Sequence, residues 1–555
     1  MLVVGKHLIR AVLALFFASC LVFTWQQLVP MDPALIIGDK PPTMEELQRR
    51  LARESYGDWL TRMLSGELGA SLFFKRSVAD LIGTAVPASL QLVLMTMVLA
   101  GVLGGVLGAL ARAMPRTASN GLAAVMRSLP HLVPGLLMIL LVVAGVLSLP
   151  VSGYVPLARD WQDSIARTIM PAIALACVPA AVLMGRIGDT ARPSPGTGRS
   201  LPAAIAPGGL EIIAILSGLV VVEMIFNIPG LGRLVVHAAL ARDFPTLLPL
   251  VLLAAVAGIA VIAVADVIRA LAERGRADAA PRPAMPGTAA AAPRSLMARA
   301  GRSGLLVAGL VLAVLFLALA ILGPSLAPFD ANMIDPANRL KPAGAGHALG
   351  TDTLGRDVLS RLLNGGWPVA LVGIVPVAVA VGAGAVLGTL AGYSARQPAT
   401  SVIDILVMSV MDTMLAFPLL PLAVVLALIL GAGFAAPLVA IAVAAIPVVA
   451  RLVRDHVLRH GVGSGLGGQI AISAMTLIAA AIATACAVSF LGFGPEPPTP
   501  SWGGIAGEGM QFARRAPWIV LWPVVAIVWA VLAFNLIAAG LRNVLEGASL
   551  RTSGR

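Results

Sequence analysis

Long apolar runs in this chain are interrupted by a few ionisable or strongly polar residues: Arg127, His131, Glu211, Glu223, Asn227, Asp266, Asp404 and Asp412. A charged group at membrane depth costs about 2.5–3.5 kcal/mol on insertion scales, so each is a candidate for lining a solute path, relaying protons or pairing between helices. Asp404 and Asp412 lie eight residues apart, on one helical face, a spacing that suits pairing with neighbouring helices. Glu223 and Asn227 precede Pro229, Gly230 and Gly232, a turn signal that places them near the mouth of a span. They are gate or pathway candidates, with a structural hydrogen-bonding role as the alternative. Asp266 has Arg269 as a partner within reach on the same helix. His131, between Pro130 and Pro134, reads as a packing residue rather than a metal ligand. Cys20, Cys177 and Cys486 are far apart in apolar runs, without metal-ligand or redox spacing, and read as small buried hydrophobes. No G-x-x-x-x-G-K-[ST] phosphate loop occurs, and Gly463 to Gly468 fits G-x-G-x-x-G with no strand before it. The chain carries no hydrolytic site of its own.

Composition defines what must position these groups. Of 555 residues 58% are hydrophobic and 12% charged, with a mean hydropathy of +0.93. So little charge cannot cover the surface of a soluble protein of this length, which excludes a cytosolic enzyme, a secreted disulfide scaffold and a disordered tail. A span needs roughly 20 apolar residues, and this pool supplies about a dozen. The formal charge is +12, and of 39 basic residues only Lys6, Lys40, Lys75 and Lys341 are lysines. Such a balance orients spans by gathering on cytoplasmic loops. No basic stretch is interleaved with exposed aromatics, so nucleic acid is not the partner. Lys6, His7 and Arg10 precede an apolar run from Ala11 to Trp25. Phe17-Ala18-Ser19-Cys20 resembles a lipoprotein cleavage box, but Leu21-Val22-Phe23 continues the apolar run, which favours an uncleaved first span.

Apolar runs recur at 11–29, 87–110, 121–148, 168–185, 210–226 and 246–268, and again at 304–323, 368–392, 403–431, 434–450, 470–490 and 518–541. Between the two sets lies an Ala/Pro/Arg-rich stretch that reads as a linker. The expected division is a first half 1–272 with an external segment 31–86, a cytoplasmic linker 273–302, a second half 303–548 with an external segment 324–367, and a tail 549–555. Six spans on each side keep both halves in one orientation. Arg112, Arg116, Arg186, Arg192, Arg199, Arg396, Arg451, Arg454, Arg459, Arg542 and Arg551 then share the linker's side, which predicts cytoplasmic N- and C-termini. Gly101/Gly105 and Gly104/Gly108 form small-residue faces in the second span, as Gly384, Gly388 and Gly392 do in its counterpart. Arg242-Asp243-Phe244-Pro245 leads into the sixth span as Arg515-Ala516-Pro517-Trp518 leads into the last. The halves read as a parallel repeat.

The second half contains His347-Ala348-Leu349-Gly350-Thr351-Asp352-Thr353-Leu354-Gly355-Arg356-Asp357-Val358-Leu359-Ser360-Arg361. Gly350 and Gly355 permit tight turns, and Thr351 and Asp352 can cap an amphipathic helix whose Val358, Leu359, Leu362 and Leu363 would lie on the membrane surface. The phrase closely resembles a signature of the dipeptide/oligopeptide/nickel family of ABC-importer permeases. Ser489-Phe490-Leu491-Gly492, then Pro497, Pro498, Trp502 and Gly503, resemble the same family's loop before its last span, and Asp404, Met408, Asp412 and Ala416-Phe417-Pro418 its third span. In the first half, Gly66 to Ser71, Leu149 to Gly153, Val222 to Phe226, Pro229 to Gly232 and Arg242 to Pro245 resemble the partner permease.

The resemblance implies an all-α polytopic protein of two tandem six-helix permease domains, with two permeases that are usually separate chains fused here. It also implies two ABC ATPase subunits on the cytoplasmic side, an external substrate-binding protein, and the bacterial inner membrane as location. No cofactor would be bound by this chain, ATP and Mg being used by the partner ATPases. The cargo would be a peptide or a related small solute such as nickel or a metal–chelator complex.

In that family a short helix between the fourth and fifth spans docks into each ATPase. Here Arg186, Asp189 and Arg192 give way to Pro193-Ser194-Pro195-Gly196, where two prolines break a helix. In the second half Arg451, Arg454, Asp455 and Arg459 are followed by a glycine-rich run from Gly461 to Gly468, which disfavours a docking helix by up to about 1 kcal/mol per glycine. Either these charged residues act as surrogate contacts or coupling is altered. An ion-coupled secondary transporter and a degenerate permease acting as a scaffold are the remaining alternatives.

Overall fold

The structure is a computed structural model that describes residues 2–28, 55–190, 209–277, 301, 303–344, 346–397, 401–431, 433–461 and 465–552. Most of the expected linker 273–302, the outer part of the segment 31–86, and Arg192 and Gly196 lie outside the described residues, as do the side chains of Asp189, Asp266 and Arg269.

Among the described residues the chain is helical, with only isolated bridges between extended segments. The first half contributes α1 (Leu2–Leu28), α2 (Tyr56–Leu64), α3 (Val78–Ala113), α4 (Arg116–Arg127), α5 (Leu132–Val143), α6 (Trp161–Thr190), α7 (Gly209–Ile225), α8 (Leu231–Leu240) and α9 (Phe244–Ala277). The second contributes α10 (Gly304–Leu326), α11 (Val358–Ser394), α12 (Ser401–Ala416), α13 (Leu419–Leu430), α14 (Ala435–His460), α15 (Leu466–Phe490), α16 (Trp502–Met510) and α17 (Trp518–Thr552). Nine of these helices are long and apolar enough to cross a membrane, and two bent pairs raise the number to eleven. The described part of α7, 17 residues, falls short of that length; counted beside the others it gives each half six elements in the same order. The molecule is a multi-pass membrane protein.

Three expectations change. Each third span is broken rather than continuous: α4 and α5 meet at 82°, and α12 and α13 at 88°. Pro130 and Pro418 stand at the breaks, where proline removes an N–H and pushes its predecessor out of the helical region. No separate amphipathic helix lies on the membrane around residues 358–363. Those residues are the first turns of the 37-residue α11, and its cap is Asp357, which accepts from Ser360 N at 2.8 Å, rather than Thr351 or Asp352. Finally, α9 runs to Ala277 and α17 to Thr552, so helix extends into the stretches read as linker and tail.

Packing within each half follows the small residues. A Cβ placed on Gly104 would stand 2.8 Å from Leu183 Cβ, and one on Gly108 2.7 Å from Ile187 Cβ, so α3 and α6 touch almost backbone to backbone. In the second half Gly384 faces Val449 Cβ at 2.7 Å, Gly388 faces Val453 Cβ at 2.8 Å and Gly392 faces Val457 Cβ at 2.8 Å, joining α11 to α14. The register is the same in both: glycines four apart on the second span meet branched side chains four apart on the fourth. Gly101 and Gly105, the other expected face, have nothing within 4 Å. Between the halves, the bent third span of each packs on the first and last spans of the other. Gly258 of α9 lies against the Ala416 backbone, and Leu305 of α10 lies 3.5 Å from the Cβ position of Gly121.

Replacing Gly388 with leucine should cost about 1–3 kcal/mol as an overpacked position. Gly105→Leu, pointing into open space, should stay within about 0.5 kcal/mol. Thermal unfolding of the detergent-purified variants distinguishes the two.

Candidate functional site

Helix direction divides the sequence-derived candidates between two ends of the molecule. One end carries the N-termini of α3 and α11 and is called the hairpin end; the other carries Arg186, Arg451 and Arg454 and is called the basic end.

At the hairpin end the same backbone device occurs in each half. In the second, Asp352 N donates to Arg356 O at 3.0 Å and Val358 N to Gly350 O at 3.0 Å, with Thr351 and Asp357 bridged. In the first, Ser71 N donates to Arg76 O at 2.9 Å and Val78 N to Gly69 O at 3.0 Å, with Ala70 and Ser77 bridged. Each hairpin ends in the cap of the second span: Ser77 accepts from Asp80 N at 3.0 Å as Asp357 does from Ser360 N. The glycines are required by geometry. Gly350 and Gly355 have φ of +80° and +81°, and a Cβ on Gly350 would meet Lys341 O and Trp518 Nε1, both at 2.7 Å.

The side chains on this shared backbone differ. Asp352 is fully buried and accepts from Leu354 N at 2.8 Å, Arg356 N at 2.9 Å, Arg356 Nε at 2.6 Å and Arg361 Nη1 at 2.6 Å. Both arginines reach Glu508 of α16, at 2.7 and 2.9 Å. Two carboxylates and two guanidiniums thus balance, and they clamp the hairpin to α16. Asp357 also faces His347 Nδ1 at 2.9 Å, and Thr351 O accepts from Trp518 Nε1 at 3.1 Å. Trp502 is buried and donates to Leu362 O at 2.9 Å, and Gly503 lies against the Cys486 carbonyl, so α16 is pressed onto α11 and α15. Pro497 and Pro498 are joined by a cis peptide; Pro498 lines a cleft of about 730 Å³ with Trp367 and Phe434. In the first half the clamp is smaller: Ser71 Oγ donates to the buried Asp243, which also accepts from Thr246 Oγ1 at 2.7 Å.

Glu223 is completely buried. Its Oε1 accepts from Ser89 Oγ at 2.6 Å and its Oε2 from Arg233 N at 3.0 Å, while Ser89 Oγ accepts from Leu231 N at 2.7 Å. Gly230, the N-cap of α8, has no side chain to supply, so Glu223 and Ser89 serve the free N–H groups and complement the helix dipole. A side chain on Gly230 or a Cβ on Gly232 would collide with this arrangement, which accounts for both glycines. The structural alternative for Glu223 is the one its surroundings favour. Asn227, Pro229 and Arg242 are exposed, Asn227 and Arg242 with φ of +56° and +53°. Burial, and then Arg233 beside it, holds His237 of α8 below its ordinary range.

At the basic end most expected contact residues are occupied internally. Arg186 pairs with Glu211, joining α6 to α7, and Arg451 pairs with Asp412. Arg454 grips Asp404 through Nε at 2.5 Å and Nη2 at 2.8 Å. Asp404 and Asp412 therefore pair with the neighbouring helix, as their spacing suggested. Asp455 and Arg459 stay exposed. Gly461, at φ +76°, ends α14, Gly465 at φ +101° opens α15, and Gly467 and Gly468 already lie inside α15. The connection from 461 to 465 is five residues long, too short to contain a docking helix.

Sequence reasoning singled out the hairpin residues but missed Ser89, Arg233 and Glu508. Glu508 had a signal: it is the one charged residue in Trp502–Met510. Ser89 had none, because its partner is 134 residues away.

Fold and site define a helical permease with two similarly built halves. Residues 198–278 match the family model described as the binding-protein-dependent transport system inner membrane component, and residues 298–343 match the N-terminal TM domain of oligopeptide transport permease C. The dipeptide transport system permease protein DppC of Alkalihalophilus pseudofirmus is 34% identical over 267 residues, covering 44% of this chain and 86% of that protein. The di/tripeptide transport system permease protein DppC of Pseudomonas aeruginosa is 34% identical over 266 residues, 43% and 86% respectively. The glutathione transport system permease protein GsiD of Pectobacterium atrosepticum is 34% identical over 270 residues, 44% and 87%. The chain belongs to the dipeptide/oligopeptide permease family of ABC importers.

Removing Asp352, the buried acid of the quartet, leaves two like charges together. Asp352→Ala is expected to cost about 3–5 kcal/mol, because Arg356 and Arg361 keep only the partly exposed Glu508. Asp455→Ala should change stability by less than about 0.5 kcal/mol. Melting temperatures of the two purified variants test the contrast.

Proposed function

We propose that the chain is a transmembrane permease subunit of an ATP-driven peptide importer, with both partner permeases joined in it as 1–272 and 303–548 through the linker 273–302. The observation that carries this reading is the repeat itself: the same capped hairpin, the same glycine seam and the same broken third span occur twice, each third span packing on the other half. A translocation pathway would run between the halves, with alternating access produced by their relative movement. Peptides are favoured as cargo because the relatives named above are dipeptide, di/tripeptide and glutathione permeases.

The hairpin end faces an external substrate-binding protein and the basic end faces the cytoplasm of a bacterium, with both termini on the cytoplasmic side. Two partner ATPase subunits supply hydrolysis with their own ATP and Mg. The five-residue connection after α14 leaves the end of that helix, with Asp455 and Arg459, as the second half's ATPase contact. The region from Arg186 through Asp189, Arg192 and Gly196 is the first half's contact.

Purified chain, reconstituted in proteoliposomes with the cognate ATPases and binding protein, should accumulate a labelled dipeptide only with ATP inside the ATPase-facing compartment. Asp455→Asn combined with Arg459→Gln should weaken ATPase co-purification several-fold without lowering the melting temperature. Uptake driven by an ion gradient without ATP would overturn the reading in favour of a secondary transporter, and absence of any ATPase association would favour a scaffold.

A further inference from the structure

Two seams join the halves towards the basic end, and they differ chemically. Where α4 meets α17, Asn120 Nδ2 donates to Asn543 Oδ1 at 2.6 Å and the charges present, Arg127 and Arg542, are of like sign, so no ion pair closes the contact. Where α1 meets α12, it is ionic: Arg10 Nη2 lies 3.1 Å from Asp404 Oδ2, and Asp404 is held from its other side by Arg454. We propose that Arg10 and Asp404 are a releasable latch, closing the basic end between the halves and opening once in each transport cycle; this rests on the permease reading above.

Three features make this contact suited to release. When Arg10 leaves, Asp404 keeps the bidentate bond from Arg454, which belongs to the same half, so no buried carboxylate is left unpaired. Arg10 lies about 12 Å along α1 from the helix start, and its long apolar stem lets the guanidinium turn towards water at the basic end. The packing around it is also incomplete. Arg10 Nε is buried without a hydrogen-bond partner, and a void of about 10 Å³, room for a single water, separates Arg10 and Ala14 from Ile259, Ile262 and Asp412.

The rest of the α1–α12 seam supplies a pivot. Thr413 Oγ1 donates to Ala14 O at 3.2 Å, and farther towards the hairpin end Trp25 and Phe417 pack with ring centres 5.7 Å apart. These contacts hold the two helices together beyond the latch. Release exchanges a largely buried ion pair for a guanidinium that reaches water and a carboxylate still held by Arg454, and differential binding of an ATPase at the basic end can drive that exchange. The glycine seams inside each half offer no such exchange, because backbone contact there has no second arrangement of similar energy.

The test uses the reconstituted complex with Cys20, Cys177 and Cys486 changed to alanine and with Arg10→Cys and Asp404→Cys introduced. Bridging the two thiols with a short bifunctional methanethiosulfonate, which spans the length the arginine filled, should lower ATP-dependent dipeptide uptake at least tenfold, and reductive release should restore it. In the otherwise native chain, Arg10→Gln should raise substrate-independent ATP hydrolysis several-fold and lower the peptide carried per ATP, while Arg10→Lys should stay near the native ratio. A cross-linked complex that transports at the reduced rate, or an Arg10→Gln complex with native basal hydrolysis, overturns the latch and leaves the permease reading intact. A native complex with no ATP-dependent uptake overturns both.

Discussion

In lipid an apolar side chain gains nothing by meeting another one instead of an acyl chain, so helices associate only where they approach more closely than lipid can or where they share polar contacts. The glycines of α3 and α11 meet that constraint. Gly104 and Gly108 bring α3 against α6, and Gly384, Gly388 and Gly392 bring α11 against α14, with branched side chains of the fourth span seated over the missing Cβ atoms. Each half is thereby built around one rigid pair of long helices. The capped hairpin at the start of the second span, the charges on the fourth and the bent third span all take their positions from that pair.

The hairpin end shows how one backbone accepts two chemistries. Equivalent hydrogen bonds close the turn before α3 and, one residue shorter, before α11, yet Ser71 meets Asp243 in the first half where Asp352 meets Arg356 and Arg361, and through them Glu508, in the second. Both arrangements fasten the hairpin to the segment before the last span. One mechanical need common to both halves, a closed hairpin end, is met by a hydroxyl–carboxylate bond on one side and by a balanced quartet of charges on the other. Charge in the quartet is compensated locally, so the second clamp can be buried without an unpaired ion.

Much of this was legible in the residues. Each apolar run has its helix, and the lone carboxylates Asp404 and Asp412 found arginines on the adjacent helix, as charges at membrane depth must. What escaped was whatever depends on which of two equivalent faces is used or on distant partners. Periodicity alone cannot distinguish Gly101/Gly105 from Gly104/Gly108, since both pairs are spaced four apart; only the position of α6 decides. Glu223 near a Pro-Gly turn has the signature of a mouth residue, and its burial follows from Ser89 and the N-terminus of α8 arriving from elsewhere in the chain. The prolines at the third-span breaks were visible, but a proline by itself sets no bend as large as 82° or 88°, so the breaks could not be read from the residues.

The two ends of the molecule now take complementary parts. At the hairpin end, charges close contacts within a half: Asp352 to Glu508, Ser71 to Asp243, Glu223 to α8. At the basic end, Arg10 and Asp404 close a contact between halves, and the long connection that a docking helix would need after α14 is reduced to five residues. A force applied near Asp455 on α14 reaches Arg454 within one residue, then Asp404, then Arg10 of the opposite half. The ion pairs thus run without a break from the end of α14 through Asp404 into α1 of the other half.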